Sequence, residues 1–248
     1  MQLIHASHNE TVGACSLLAQ CHRYASHAAG RILMVTLHWL NASGSLASCR
    51  EGIEANIDLA ISRIATQLTL PDIDVLVQRT TFEVIKEMGF SGRAWGPHLM
   101  SFYLDTDSPN LQSSLARYDL ARQFAHEAHH CLRMAGTGYG FSLGEALVSE
   151  GLAGHFASMT FGSPPGIWEC AVGKERLKNL PLSDELLRSQ SYNHAEWFFG
   201  QGDHPQWLGY SLGWHLVDAW LQAGSRSLDE RINVEADDVL AFLPTVID

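Results

Sequence analysis

The run from Leu115 to Met134 contains neither glycine nor proline, and so long an uninterrupted stretch reads as a helix. Within it stands His126-Glu127-Ala128-His129-His130. On a helix, residues four apart lie on one face, one turn above the other, so the His126 and His130 imidazoles can converge on one metal ion. Glu127 projects about 100° away from His126 and is no ligand in this register, but it lies within reach of a water on that ion. A His126/His129 pair, three apart, is the alternative register; it leaves Glu127 less well placed as a base. In the first register His129 is an ordinary polar helix residue or a group behind the ligands.

Zinc in a hydrolase takes three protein ligands and leaves a position for water, whose pKa it lowers towards about 7. The third ligand has to come from another segment, because a further ligand on the same helix crowds the open position. Glu150 is the candidate. It lies on the next helical pattern, after a connection rich in glycine (Gly136, Gly138, Gly140, Gly144), and its face carries the small residues Ala146, Ala153, Gly154 and Ala157. Such residues let two helices approach closely. Glu145 is the rival, although its place at a helix start is already accounted for by the favourable charge there. Hydrolysis also calls for a donor to the developing oxyanion. Tyr210, flanked by Gly209 and Gly213 on a later helix, is a candidate; a core tyrosine at a helix start is the competing reading.

The rest of the chain supplies the frame. Arg31 to Leu40 reads as a strand closed by Asn41-Ala42-Ser43-Gly44, and residues 47–68 as an amphipathic helix ended by Pro71-Asp72. Asp74 to Arg79 and Leu99 to Leu104 read as strands, with Gly89, Gly92 and Gly96 in the loops between. Further helices are expected near 145–159, 183–198, 207–222 and 235–243. The expected architecture is α+β: an α/β lobe over 1–110, then a mainly helical lobe over 111–248, with the metal motif at their junction and the two together forming one compact domain.

Bulk properties narrow the partners. The 248 residues carry a net charge of −11, and 46% are hydrophobic. With no Lys/Arg-rich run, neither nucleic acid nor an anionic membrane is expected as a partner. The longest apolar tract, Ile32 to Leu40, is too short to cross a bilayer. Five cysteines (Cys15, Cys21, Cys49, Cys131, Cys170) contain no Cys-x-x-Cys pair, so neither a disulfide framework nor a cysteine zinc site is indicated. Cys131 faces about 100° away from His130 and reads as packing. Residues 1–8 show no basic region followed by an apolar stretch, and the expected location is cytoplasmic. Gly-x-Gly-x-x-Gly and phosphate-loop patterns do not occur. His5, His8, His22, His27 and His38 lack ligand spacing and read mostly as surface residues. His155, His194, His204 and His215 are open to substrate contact, and the tryptophans between 168 and 220 read as core and cleft wall.

The motif helix followed by Ser149-Glu150-Gly151-Leu152-Ala153 resembles the gluzincins, zinc metallopeptidases whose third ligand is a glutamate. More closely, most of the chain resembles a bacterial family of predicted zinc-dependent proteases, formerly a domain of unknown function. The resemblance is carried by His38-Trp39-Leu40-Asn41, the motif helix, the segment Glu145 to Ala153, and Trp197-Phe198-Phe199-Gly200 followed by Gly209-Tyr210-Ser211-Leu212-Gly213. It implies a zincin-like fold, a zinc ion on His126, His130 and Glu150, Glu127 as general base and Tyr210 as a transition-state group, acting on a peptide or protein. In zincins an edge strand pairs with extended substrate, and Pro97 to Leu104 is the segment nominated here, against its reading as a core strand. Gluzincins commonly carry a carboxylate four residues after the ligand glutamate, where it can orient a zinc histidine; here that position is Gly154. The departure keeps open a zinc protein without turnover that binds peptides or a regulator. A metal-free helical interaction domain is the remaining rival.

Overall fold

The computed structural model describes residues 22–28, 31–82 and 84–248, with side chains from residue 34 onward. Cys15, Cys21 and residues 1–8 lie outside the described residues. The chain is α+β. Strands β1 (His22–Ala28) and β2 (Arg31–Leu40) are followed by helix α1 (Arg50–Ala65), then β3 (Ile73–Arg79), β4 (Phe90–Gly96) and β5 (Leu99–Leu104). They form a mixed sheet in the order β1-β2-β3-β5-β4. The β2–β3 and β3–β5 pairs are parallel, while β1–β2 and β4–β5 are antiparallel.

A strand with one face on the core alternates buried and accessible residues. β3 does so, burying Ile73, Val75 and Val77, while the central β5 buries Met100, Ser101, Phe102 and Leu104. β4 has a different character. Its sequence, Phe-Ser-Gly-Arg-Ala-Trp-Gly, lacks a clean alternation, and the expectation of a loop around Gly92 and Gly96 is corrected to a strand. β4 is the sheet's edge, and β5 is hydrogen-bonded on both sides. The nomination of Pro97 to Leu104 as edge strand is therefore overturned: Leu99–Leu104 has no free side.

The expected helix from Leu115 is two helices, α2 (Leu111–Ala116) and α3 (Asp119–Ala135). They break at Tyr118, whose φ of 63° is left-handed and interrupts the hydrogen-bond ladder without any glycine or proline to announce it. Asn56 on α1 secures the break. Buried, it donates to the Leu115 carbonyl at 2.9 Å and accepts from the Ala121 amide at 3.0 Å. α3 thus starts from a fixed point against α1, whose Ile53, Ile57 and Ile64 are fully buried. Each such side chain stabilises the fold by about 1.5–3 kcal/mol through the area removed from water.

Helix α4 (Leu143–Phe161) packs on α3 and begins with a capping box formed by Ser142 and Glu145. Beyond it come α5 (Lys174–Leu177), α6 (Asp184–Arg188), α7 (His194–Phe199), α8 (Leu208–Gln222), α9 (Leu228–Asn233), α10 (Ala236–Leu240) and α11 (Pro244–Ile247). The expected helix over 183–198 is split into α6 and α7, while α8 lies where the pattern at 207–222 puts it. α4 crosses α8 at two glycines: a Cβ on Gly151 would overlap the Gly213 carbonyl, and one on Gly213 would overlap the Leu147 carbonyl. Two apolar clusters result. One unites the sheet with α1 and α3; the other joins α4, α7, α8 and α10 around Leu147, Phe198, Leu212 and Val217.

Candidate metal centre

α3 and α4 bring three side chains together. His126 Nε2 lies 3.0 Å from Glu150 Oε2 and 3.1 Å from His130 Nε2, and His130 Nε2 lies 3.5 Å from Glu150 Oε1. The potential ligand atoms all fall within 4.8 Å of one another, and all three residues are buried. Two donors bound tetrahedrally to one zinc at about 2.0–2.1 Å are separated by roughly 3.3–3.4 Å. The observed spacings bracket that value, and two imidazoles with one carboxylate are a donor set that zinc accepts. The residues fit the ion.

Electrostatics agree with convergence. Burial opposes the charge of Glu150, but the His130 charge and hydrogen bonds from both histidines outweigh it and hold the carboxyl well below its usual range. Burial likewise opposes protonation of His126. Its hydrogen bond to Glu150, that residue's charge and those of Glu127 and Glu169 reverse the balance and raise its pKa.

His129 lies outside this group. It is buried, tilted against Phe156 with ring centroids 5.4 Å apart. Burial, then the charges of His130, Arg133 and His126, lower its pKa well below 6.5, so it stays neutral. It is thus a packed core residue rather than an ordinary polar one. Glu145 is engaged elsewhere: one carboxylate oxygen accepts from the Phe141 and Ser142 amides and from Ser142 Oγ. Burial opposes its charge, and these bonds still lower its pKa.

Glu127 points from α3 to the edge strand. Its Oε2 accepts from the Ala94 amide and its Oε1 from Gln123 Nε2, each at 2.7 Å. The approach is possible because residue 92 is glycine: a Cβ there would lie 2.8 Å from both Cγ and Oε1 of Glu127. A glycine in a strand commonly marks such a close approach, and this one was legible only as a loop signal.

Sequence reasoning missed Tyr139. Gly138 and Gly140, with φ of 99° and 90°, adopt backbone that favours glycine, and between them Tyr139 turns inward. Its hydroxyl donates to Glu150 Oε1 at 2.7 Å, and its ring meets His130 edge-on. Burial, then the Glu150 charge, push the phenol well above 10. The link is itself anchored, since Ser149 Oγ donates to the Tyr139 carbonyl and accepts from the buried Arg133.

A cleft of about 1240 Å³ opens over the centre, and His126, Glu127, His130 and Glu150 line it together with Tyr210 and residues 91–94 of β4. Tyr210 packs edge-on to Phe198, with Phe199 and Trp207 nearby. Burial, followed by the Glu150 and Glu127 charges, keeps its phenol protonated well above 10. Of the later histidines only His194, held to the Tyr192 hydroxyl at 3.0 Å, lines the cleft. His155 stacks on Trp214, and His204 packs on Trp197. His38 is partly exposed and contacts Asp74. Trp168, Trp197 and Trp220 are buried, and Trp168 and Trp207 line the cleft. Cys49, Cys131 and Cys170 are free thiols, and burial pushes Cys131 up to about 12, consistent with packing.

A fold with a buried two-histidine, one-glutamate centre beneath a cleft describes a candidate metalloprotein. Residues 53–241 match the family described as predicted Zn-dependent protease (DUF2268), and the chain belongs to that family. It is also 25% identical over 171 residues to the uncharacterized protein YjfC of Bacillus subtilis (strain 168). That alignment takes in 62% of this chain and 55% of the Bacillus protein, so the chain spans about half the length of that relative. Among the described residues no helix is long and apolar enough to cross a membrane.

Proposed function

We propose that the chain is a gluzincin-type zinc peptidase in which His126, His130 and Glu150 hold the metal and Glu127 is the general base. The convergence of three buried donors at tetrahedral spacing carries this reading. Zinc bound there supplies the Lewis acidity that activates a water and polarises the scissile carbonyl.

The remaining work falls to the chain's own groups. Glu127 is buried, and its carboxylate, fixed by Ala94 and Gln123, takes the proton of the attacking water and delivers it to the leaving amine. The Tyr210 hydroxyl, kept protonated and facing the same cleft, donates to the developing oxyanion. Backbone groups along β4, the sheet's edge, hold an extended peptide by strand addition. Phe82, Phe141 and Phe199 stand exposed in the cleft wall and favour substrates with large apolar side chains, because such side chains leave water there on binding.

The test is metal analysis with peptide cleavage. The purified chain should carry about one zinc, lose it in each of His126→Ala, His130→Ala and Glu150→Ala, and cleave members of a peptide library. Glu127→Gln should retain zinc and lose nearly all cleavage. Its new amide is tolerable, because Gln123 Oε1 lacks a partner and Gln123 can flip to accept from it. Zinc retention in Glu150→Ala would overturn the ligand assignment. Cleavage by Glu127→Gln at the parental rate would overturn the mechanism. A zinc-loaded parent that cleaves no peptide would favour a binding protein.

A further inference from the structure

The space beside Gly154 is filled by Glu169, from the loop after α4. A Cβ on residue 154 would lie 2.6 Å from Glu169 Oε1 and 2.9 Å from its Cδ, so no larger residue can share the position. Gly154 stands one helical turn beyond Glu150, on the same face of α4. Glu169 is 1% exposed, and its two oxygens are treated very differently. Oε2 accepts from Arg122 Nη2 and from the Gly166 amide, both at 2.5 Å. Oε1 has no hydrogen-bond partner, and neither has the buried Nδ1 of His126. A carboxylate oxygen buried without a partner is costly and calls for a reason.

We infer that Glu169 is a positioning residue for the metal centre, its Oε1 accepting from His126 Nδ1–H, after a small carboxylate rotation or through one buried water, once Nε2 of that ring holds zinc. This rests on the zinc reading of the site. A histidine that binds metal through one nitrogen is oriented by the acceptor on its other nitrogen, which fixes both tautomer and ring plane. The Glu169 charge already reaches His126. Arg122 holds the opposite oxygen in place; Ser158 Oγ, 2.9 Å from the same guanidinium nitrogen, steadies the arginine. The carboxylate thus arrives from a separate loop and needs glycine on the helix to make room.

Zinc affinity, measured by competition with a chromophoric chelator on the full chain, tests this. Glu169→Gln preserves volume and removes the charge; the metal-free protein should melt lower than the parent, because the part-buried Arg122 loses its ion-pair partner. At a temperature where both are folded it should bind zinc roughly 10- to 100-fold more weakly. Glu169→Ala should be at least as weak. Adding Gly154→Asp to Glu169→Ala puts a carboxylate back into the emptied space from the helix side and should recover most of the affinity, which a purely structural role for Glu169 would not allow. Parental affinity in Glu169→Gln, or a double variant no tighter than Glu169→Ala, overturns the inference. If Glu169→Ala does not fold, Glu169→Gln decides alone. A parent that binds no zinc removes the proposed function as well, whereas a zinc-binding parent matched by Glu169→Gln removes this inference only.

Discussion

Tyr139 donates its hydroxyl proton to Glu150 Oε1 at 2.7 Å, leaving Oε2 as the oxygen nearest His126. A carboxylate with one oxygen so engaged presents the other in a fixed direction, and a ligand aimed in advance binds metal more tightly than one free to rotate.

Tyr139→Phe should therefore keep the fold and still bind zinc, with an affinity roughly tenfold weaker or more. Chelator competition measures it. Parental affinity would make Tyr139 a packing residue for His130 and no more.

Gly92→Ala inserts a Cβ 2.8 Å from the Glu127 side chain and 3.1 Å from Gln123 Cγ. Glu127 has to move, while His126 and His130 are untouched. Peptide cleavage should fall on the order of 10²-fold, the usual effect of a displaced catalytic group, with zinc stoichiometry unchanged. Undiminished turnover would mean that the edge strand does not set the position of the base.

Tyr210→Phe removes a hydroxyl from the cleft and leaves the aromatic packing with Phe198 intact. If that hydroxyl serves the oxyanion, kcat drops by roughly 10²–10³ with KM little altered. An unaltered kcat assigns the tyrosine to the cleft wall.

The pH profile of the metal-free protein follows from two opposed shifts. His126 has its folded pKa raised above 6.5, so its contribution is complete below that value and fades as pH rises through the folded one. Glu150 has its folded pKa lowered below 4.5, so its contribution is present above that value and is lost as pH falls through the folded one. Together they stabilise the metal-free chain most between about pH 4.5 and 6.5. Melting temperatures with zinc stripped should fall from about pH 5.5 to about pH 8.5 more steeply in the parent than in Glu150→Gln. Parallel profiles would contradict the pairing.

Much of the frame could be read from periodicity, because periodicity records burial. β2 and β5 occupy the ranges that their apolar content indicates, and β3 begins one residue earlier. β4 was hidden because it answers to Glu127 rather than to a core: the residue that most reads as a loop, Gly92, is the one that the approaching side chain requires. The trio His126, His130 and Glu150 could be found from spacing along two helices. Tyr139 and Glu169 could not. They reach the centre from connections between helices, where no periodicity ties a residue to its neighbours in space, and only the flanking Gly138 and Gly140 hinted that the backbone turns sharply there. Gly154 was noticed as a missing carboxylate, but a sequence cannot say which distant side chain fills a gap.

The contact of Gly151 with Gly213 acts as a depth gauge for the cleft. Gly151 follows Glu150 directly, and Gly213 stands one turn along α8 from Tyr210. With backbone touching backbone, the two helices can come no nearer, and any side chain between them would wedge them apart. The separation of the main chains that carry Glu150 and Tyr210 is thereby set by backbone contact, a length that rotamer changes cannot alter. In the proposed peptidase, adaptation to substrates of different bulk then falls to side chains of the cleft wall, the exposed rims at Phe82 and Phe141 among them.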